Sequence, residues 1–325
     1  MLAFLFRRLG QGLLVVAVMA TLVFVGVYAL GNPIDILISP DADQLEREQA
    51  IQRLGLDKPF WMQFWIFLTS ALTGDLGKSL VHGIPAVELI LNRMPATLEL
   101  AGVALILSIG IGIPLGLVAG LAPKSLLGRG IMTSSIFGFS LPNFWLGLML
   151  ILLFAVELKV LPAGGRGETL DVLGVPLSLF TIDGWRHLIL PALTLGIYKA
   201  SLIARLAYAG TRETMPQDFI RFARAKGLSR GRIVGVHVLK TILIPVVTVI
   251  GLELGSMIAF AVVTETVFAW PGMGKLLIES IYRLDRPVIV AYLMVIVVMF
   301  VLINLAVDLV YMMLDPRVRL AERSA

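Results

Sequence analysis

Apolar residues fall into six long blocks along this chain, and the polar residues between the blocks are sorted by charge. The blocks run from Leu9 to Leu30, Thr97 to Leu121, Ile131 to Val156, Leu188 to Ala207, Thr241 to Phe268 and Val288 to Leu314. Each has about 20 residues or more, the length an α-helix needs to cross the hydrocarbon layer, where backbone polar groups must be paired within their own segment. The pattern predicts an all-α, polytopic membrane protein with six transmembrane helices. The third block carries an interrupter, Ser140-Leu141-Pro142-Asn143, and the fourth opens on Leu190-Pro191. The first block follows Arg7-Arg8 but exceeds the apolar core of a signal peptide. No small-x-small cleavage site precedes Gly31-Asn32-Pro33, so it is read as a retained first helix.

The charges orient these spans. With the N-terminus in the cytoplasm, one side of the membrane receives Arg7, Arg8, Lys124, Arg129, eight basic residues from Arg205 to Lys240, and Arg317, Arg319 and Arg323. That side holds 15 Lys/Arg against four acids, whereas the opposite side holds 11 basic residues against 14 acids. The asymmetry places both termini in the cytoplasm. The chain then divides into an N-terminal transmembrane helix (1–31), an extracytoplasmic cap segment (32–96) and a membrane core of five spans (97–325), with a cytoplasmic loop over 208–240. The cap segment has Leu45, Ile51 and Leu54 at helical spacing. Its aromatic stretch from Phe60 to Phe67 suits either a membrane-interface belt or a substrate contact. A second external segment, Glu157 to Arg186, is Gly-rich and reads as loop.

Composition agrees with the class and removes several chemistries. Of 325 residues 58% are hydrophobic and 15% charged, and the mean hydropathy is +0.92, beyond soluble domains. There is no cysteine, and His82, His187 and His237 match no ligand spacing, so no metal site and no cofactor is expected. "GDLGKSL" (Gly74–Leu80) imitates a phosphate-binding loop, but the required first glycine falls at position 72, which is Leu72. "PGMGK" (Pro271–Lys275) reads as a turn after a span. No nucleophile–base set or carboxylate pair assembles, so the chain is not read as an enzyme.

The basic stretch "DFIRFARAKGLSRGRI" (Asp218–Ile233) is the most structured feature of the cytoplasmic side. Thr214 with Gln217 has capping-box spacing and Pro216 suits a first turn, so a helix is expected to start there. Phe219, Phe222 and Ala223 share one face at i, i+3, i+4 spacing, with Arg221 and Arg224 projecting elsewhere. Gly227 stands where a left-handed C-terminal cap belongs, and Ser229 can cap a following helix. Topology alone asks only for charge. A capped helix, an apolar face and an elbow together describe a docking knob for a soluble protein, and nucleic acid has no place in this setting.

These residues carry a resemblance. "DFIRFARAKGLSRGRIVGVHVLKTILIPVVTVIGLELG" resembles the cytoplasmic loop of binding-protein-dependent ABC importer permeases, specifically the B-type subunit of the dipeptide, oligopeptide and nickel family. The likeness extends through "RRLG", "LGLDKP", "GDLGKS", "PATLEL", "SLPNFWLGLML", "HLILPALTLG", "TETVFAWPGMGKLL" and "DPRVR". Arg221 and Phe222 stand where the general signature has Glu and its first Ala, so the role of that Glu does not carry over. The resemblance implies a type I ABC importer permease fold in the bacterial plasma (inner) membrane. It implies three kinds of partner besides the lipid bilayer: a second homologous permease, two cytoplasmic ATP-binding cassette ATPases, and an extracytoplasmic substrate-binding protein. Phe219, Arg221, Phe222, Ala223, Arg224, Ala225, Gly227 and Leu228 would form the ATPase-coupling surface. Di- or oligopeptides are the expected cargo, with nickel chelates, glutathione or other small solutes as the alternative; a stand-alone secondary transporter would leave the elbow without a purpose.

Ionisable groups within spans are costly and tend to face a pore or a partner. Glu253, mid-way along the fifth span, either faces the translocation path or bonds to another helix. Pro142 and Asn143, which free backbone carbonyls in span three, are further path candidates. Lys199, Asn304 and Asp308 suit snorkelling or interhelical bonding, and Gly251 with Gly255 suits close contact with the second permease.

Overall fold

The computed structural model describes residues 2–29, 43–54 and 57–314. In chain order the helices are α1 (Leu2–Ala29), α2 (Gln44–Leu54), α3 (Phe60–Thr73), α4 (Ala86–Leu121), α5 (Leu126–Ser140) and α6 (Asn143–Leu150), the last prolonged by π-helical turns over Ile151–Glu157. A hairpin of β1 (Leu170–Val172) and β2 (Val175–Leu177) follows, then α7 (Ile182–Thr214) and α8 (Asp218–Ala225). The short α9 (Arg230–Arg232) passes through a π-helical stretch, Ile233–Val238, into α10 (Leu239–Val267); α11 (Met273–Tyr282) and α12 (Arg286–Leu314) complete the chain.

Five of these helices are long and apolar enough to cross a membrane unaided. The sixth crossing exists only if α5 and the α6 segment are taken together, and they meet at a 106° bend. Pro142 is the cause. It sits at the N-cap of α6 with ψ 132, the extended geometry that proline and the residue before it favour, and the α5 ladder ends at Ser140. The third span is thus a broken helix and not a straight rod.

The chain forms two compact units. One comprises Met1–Pro95 with Pro271–Leu305. Its core is Ala20, Val23, Val290 and Met294, covered by Phe67, Leu68 and Ala71 of α3, so α1 is clamped between α3 and α12. Phe24 of α1 meets Phe60 and Phe64 edge-on, both at 5.2 Å between ring centroids. The aromatic stretch therefore packs one face on α1 while Trp61 and Trp65, one turn apart, remain exposed. In the same unit the "GDLGKSL" segment wraps a buried carboxylate. Asp285 accepts hydrogen bonds from the Ser79 hydroxyl, from Leu80 N at 2.9 Å and from Val81 N at 3.4 Å. The loop that imitates a phosphate cradle binds an anion of its own chain.

The second unit comprises Ala96–Trp270 with Ala306–Ala325. Its axis is α7, the most buried of the spanning helices. The helix begins at Ile182, capped by the Thr181 hydroxyl accepting from Gly184 N at 2.9 Å, so Pro191 lies inside it and does not open it. Small residues let α4 lie directly on α7. A Cβ at Gly112 would come 2.8 Å from the Ala200 carbonyl oxygen, and one at Gly120 2.6 Å from Thr211 Cβ; at Gly116, between them, it would collide with the Ala204 carbonyl. Three glycines at four-residue spacing thus bring the two backbones into contact. A side-chain layer of Ile113, Ile203 and Val246 adds α10 to the same stack. Gly251 of α10 closes on Val307 of α12, so its small-residue face is used within this chain.

Candidate functional sites

The basic loop is a helix, a glycine elbow and a second helix. Helix α8 begins at Asp218, with Gln217 at the N-cap and no side-chain cap bond. Thr214 is instead the buried last residue of α7, so the expected capping box does not form. The α7 helix runs seven residues further than the apolar pattern shows, and Met215–Gln217 makes the turn. At the other end, Gly227 has φ +78. Its N–H donates to Arg224 O at 2.9 Å and Leu228 N donates to Ala223 O at 3.2 Å, the two bonds of a Schellman cap. The Ser229 hydroxyl then accepts from Arg232 N at 3.4 Å and starts α9.

Burial splits the apolar residues of α8 into two faces. Ile220 and Ala223 are 0% and 4% exposed, packed with Ala207, Ile233, Val238 and Ile242 from α7, the π-helical stretch and α10. Phe219 and Phe222 are 46% and 61% exposed. Ala223 therefore faces inward, away from the two phenylalanines with which the spacing grouped it. The face turned outward holds Phe219, Phe222, Arg221, Arg224, Ala225 and Gly227, with Leu228 half-buried beneath the elbow. Arg221 lies 3.4 Å from Asp218, and Lys226 Nζ sits 4.5 Å from the Phe222 ring centroid. A knob with a greased, cationic outer surface is bolted by its inner surface to α7 and α10.

Within the apolar layer, Glu253 of α10 pairs with Lys199 of α7. Ser256 completes the set: its hydroxyl accepts from Lys199 Nζ at 2.8 Å and lies 2.8 Å from Glu253 Oε2. Of the two readings open for Glu253, a bond to another helix is thus made, and Lys199 bonds between helices and does not snorkel. The Lys199 ammonium is also 5.1 Å from the Tyr198 ring centroid, and that ring stacks on Phe139 of α5 at 4.6 Å. Pro142 and Asn143 form the corner between α5 and α6, Pro142 exposed and Asn143 half-buried.

A second polar cluster escaped the sequence reading. Glu99 of α4 is buried and held by Arg166, whose Nη2 and Nε lie 2.8 Å and 3.2 Å from Glu99 Oε2. Leu179 N donates to the other oxygen at 2.7 Å, and Arg166 also reaches the Pro176 carbonyl at 2.6 Å. The fully buried Glu265 accepts from Thr97 Oγ1 at 2.6 Å, and the Trp270 indole donates to Ala96 O at 2.9 Å. The segment read as a Gly-rich loop is therefore an ordered hairpin, turning through Leu173 and Gly174 at φ 57 and 81, fastened to α4. A signal existed: Glu99 and Glu265 are carboxylates at the margins of apolar blocks, where charge needs a partner. No group of three or more His, Cys, Asp or Glu among the described residues is placed to hold a metal.

Comparison with known proteins gives the context for this geometry. Residues 112–320 match the family model described as binding-protein-dependent transport system inner membrane component. Residues 1–101 match the corresponding N-terminal model. The chain belongs to this family. It is the inner-membrane permease component of a binding-protein-dependent transport system, a multi-pass membrane protein. The permease is 38% identical over 336 aligned positions to the dipeptide transport system permease protein DppB of Escherichia coli K12, covering 98% of this chain and 99% of that one. It is 37% identical to the oligopeptide transport system permease protein AppB of Bacillus subtilis, again over 98% and 99%. The glutathione transport system permease protein GsiC of Escherichia coli O6:H1 is likewise 37% identical, over the same shares. The fold is shared with a chain of the MetNI methionine ABC transporter, with a TM-score of 0.55, 19% identity, and coverage of 71% of this permease and 98% of that chain.

Proposed function

We propose that this permease pairs with a second homologous permease subunit to form the pore of a peptide importer. Two cytoplasmic ATP-binding cassette ATPases drive it and an extracytoplasmic binding protein feeds it. ATP hydrolysis belongs to the ATPase subunits. The observation that carries the reading is the elbow of α8, Gly227 and α9, with Phe219 and Phe222 exposed on a knob whose other face is locked to α7 and α10. Exposed phenylalanines beside Arg221, Arg224, Lys226 and Arg230 suit a groove with an apolar floor and an acidic rim. The excess of basic residues in this loop and at both ends of the sequence supports a cytoplasmic position for the knob and for both termini.

Peptide cargo is supported by the dipeptide and oligopeptide relatives; the glutathione relative extends the class to other small molecules with amino-acid ends. The path through the pore passes Glu253 on α10 and the corner at Pro142 and Asn143. The test is reconstitution in liposomes with the cognate subunits, ATP inside and binding protein outside. Uptake of labelled dialanine that requires all of these supports the reading; uptake by the permease without ATPases would overturn it.

A further inference from the structure

Lys199 and Glu253 lie at matched depth in the spans that leave the elbow. Lys199 is about 22 Å before the end of α7, and Glu253 about 21 Å beyond the start of α10, at 1.5 Å per residue. Both positions fall near the middle of the apolar layer, where an isolated charge of either sign is unfavourable. The pair is joined by Ser256 and backed by the Tyr198–Phe139 stack. It is not sealed: the Lys199 and Glu253 side chains keep 12% and 21% of their surface. An ammonium and a carboxylate are therefore held side by side, neither of the two side chains fully buried.

The geometry points to a binding site for a zwitterion, and we propose that Lys199 and Glu253 receive the carboxylate and the ammonium of a substrate with free ends. This rests on the importer reading above and deepens it by naming the charged ends the pore recognises. Breaking the internal pair releases one cation and one anion, and a free-ended peptide supplies the opposite charge to each. Both protein charges stay neutralised throughout, so the site can fill and empty without leaving a bare ion in hydrocarbon. Ser256 holds whichever partner is momentarily released, as its hydroxyl both donates and accepts. A peptide blocked at one end would neutralise only one of the two.

The test uses the full transporter in nanodiscs without its binding protein, so that all selectivity comes from the pore. Thermal stability is measured against millimolar dialanine, N-acetyl-dialanine and dialanine amide. A saturable rise in Tm with dialanine that falls at least fivefold in potency with either blocked form is expected. The same rise should vanish in Lys199→Met/Glu253→Gln and persist in Lys199→Arg, with both variants assembling as the wild type does. No rise in the wild type, an equal rise with the blocked peptides, or a rise unchanged in the double variant would each overturn the proposal. So would loss of assembly in the double variant, which would assign the pair to helix packing. ATP-dependent dialanine uptake by the wild type, measured in parallel with the binding protein, separates failure of this site from failure of the importer reading.

Discussion

Arg166 and Glu99 are 67 residues apart in sequence and share a buried bridge, two guanidinium nitrogens on one carboxylate oxygen. The bridge ties the β1–β2 hairpin region to α4. Removing one partner leaves a charge buried alone, which costs about 3–5 kcal/mol. Glu99→Gln or Arg166→Met is expected to lower the Tm of the purified transporter strongly. The double substitution should recover part of that loss, and a double variant no better than the sum of the singles would remove the pairing from the account.

The two faces of α8 should separate in their effects. Ile220→Ala empties a fully buried position and should destabilise the permease by about 2–5 kcal/mol. Phe219→Ser with Phe222→Ser changes exposed side chains and should alter its stability by no more than about 0.5 kcal/mol for each. The same double variant should lose the co-purifying ATPases. Pull-down of the ATPases together with a thermal melt reads both outcomes.

At Gly227 the space around a new side chain is open, so substitution acts through the backbone. A β-branched residue at φ +78 meets a penalty of about 1–2 kcal/mol and would shift the chain out of the Schellman cap. In Gly227→Val, ATP hydrolysis by the assembled transporter is expected to persist while uptake falls at least tenfold. Uptake per ATP in liposomes is the measurement, and an unchanged ratio would count against the elbow as the coupling element.

Gly116 tests the contact between α4 and α7. Its missing Cβ is what lets the α7 backbone approach. Gly116→Ile should still insert into the membrane, because the span stays apolar, but α4 and α7 would be forced apart. Protease protection in membranes should show a normal insertion pattern, and detergent extraction should yield little monodisperse protein.

The sequence makes the spans legible because hydrocarbon imposes a rule that any apolar block must obey. It makes the elbow legible because Gly227 and Ser229 are local signals acting within one turn. It fails at Thr214, where tertiary packing on α4 and α10 carries α7 seven residues past the end of its apolar block and buries the expected cap. Helix α4 likewise starts at Ala86, before its apolar block, since Glu88 and Arg93 are tolerated in its first two turns. The partners of Glu253 and Glu99 could not be read at all: ion pairs between residues 54 and 67 positions apart depend on which helices become neighbours. The glycine ladder of α4 was readable by its spacing but is inconspicuous in an apolar block already explained by lipid.

Helix α7 is a single rod of 33 residues, anchored at one end beside the hairpin and at the other to the knob. At 1.5 Å per residue it is about 50 Å long, so a tilt of only about 5° at the knob would carry its far end through about 4 Å. The glycine ladder, which meets α7 between Ala200 and Thr211, holds α4 against the knob-side half of that rod. A small rotation imposed at the knob would thus be read out at the hairpin end, enlarged by the rod's length.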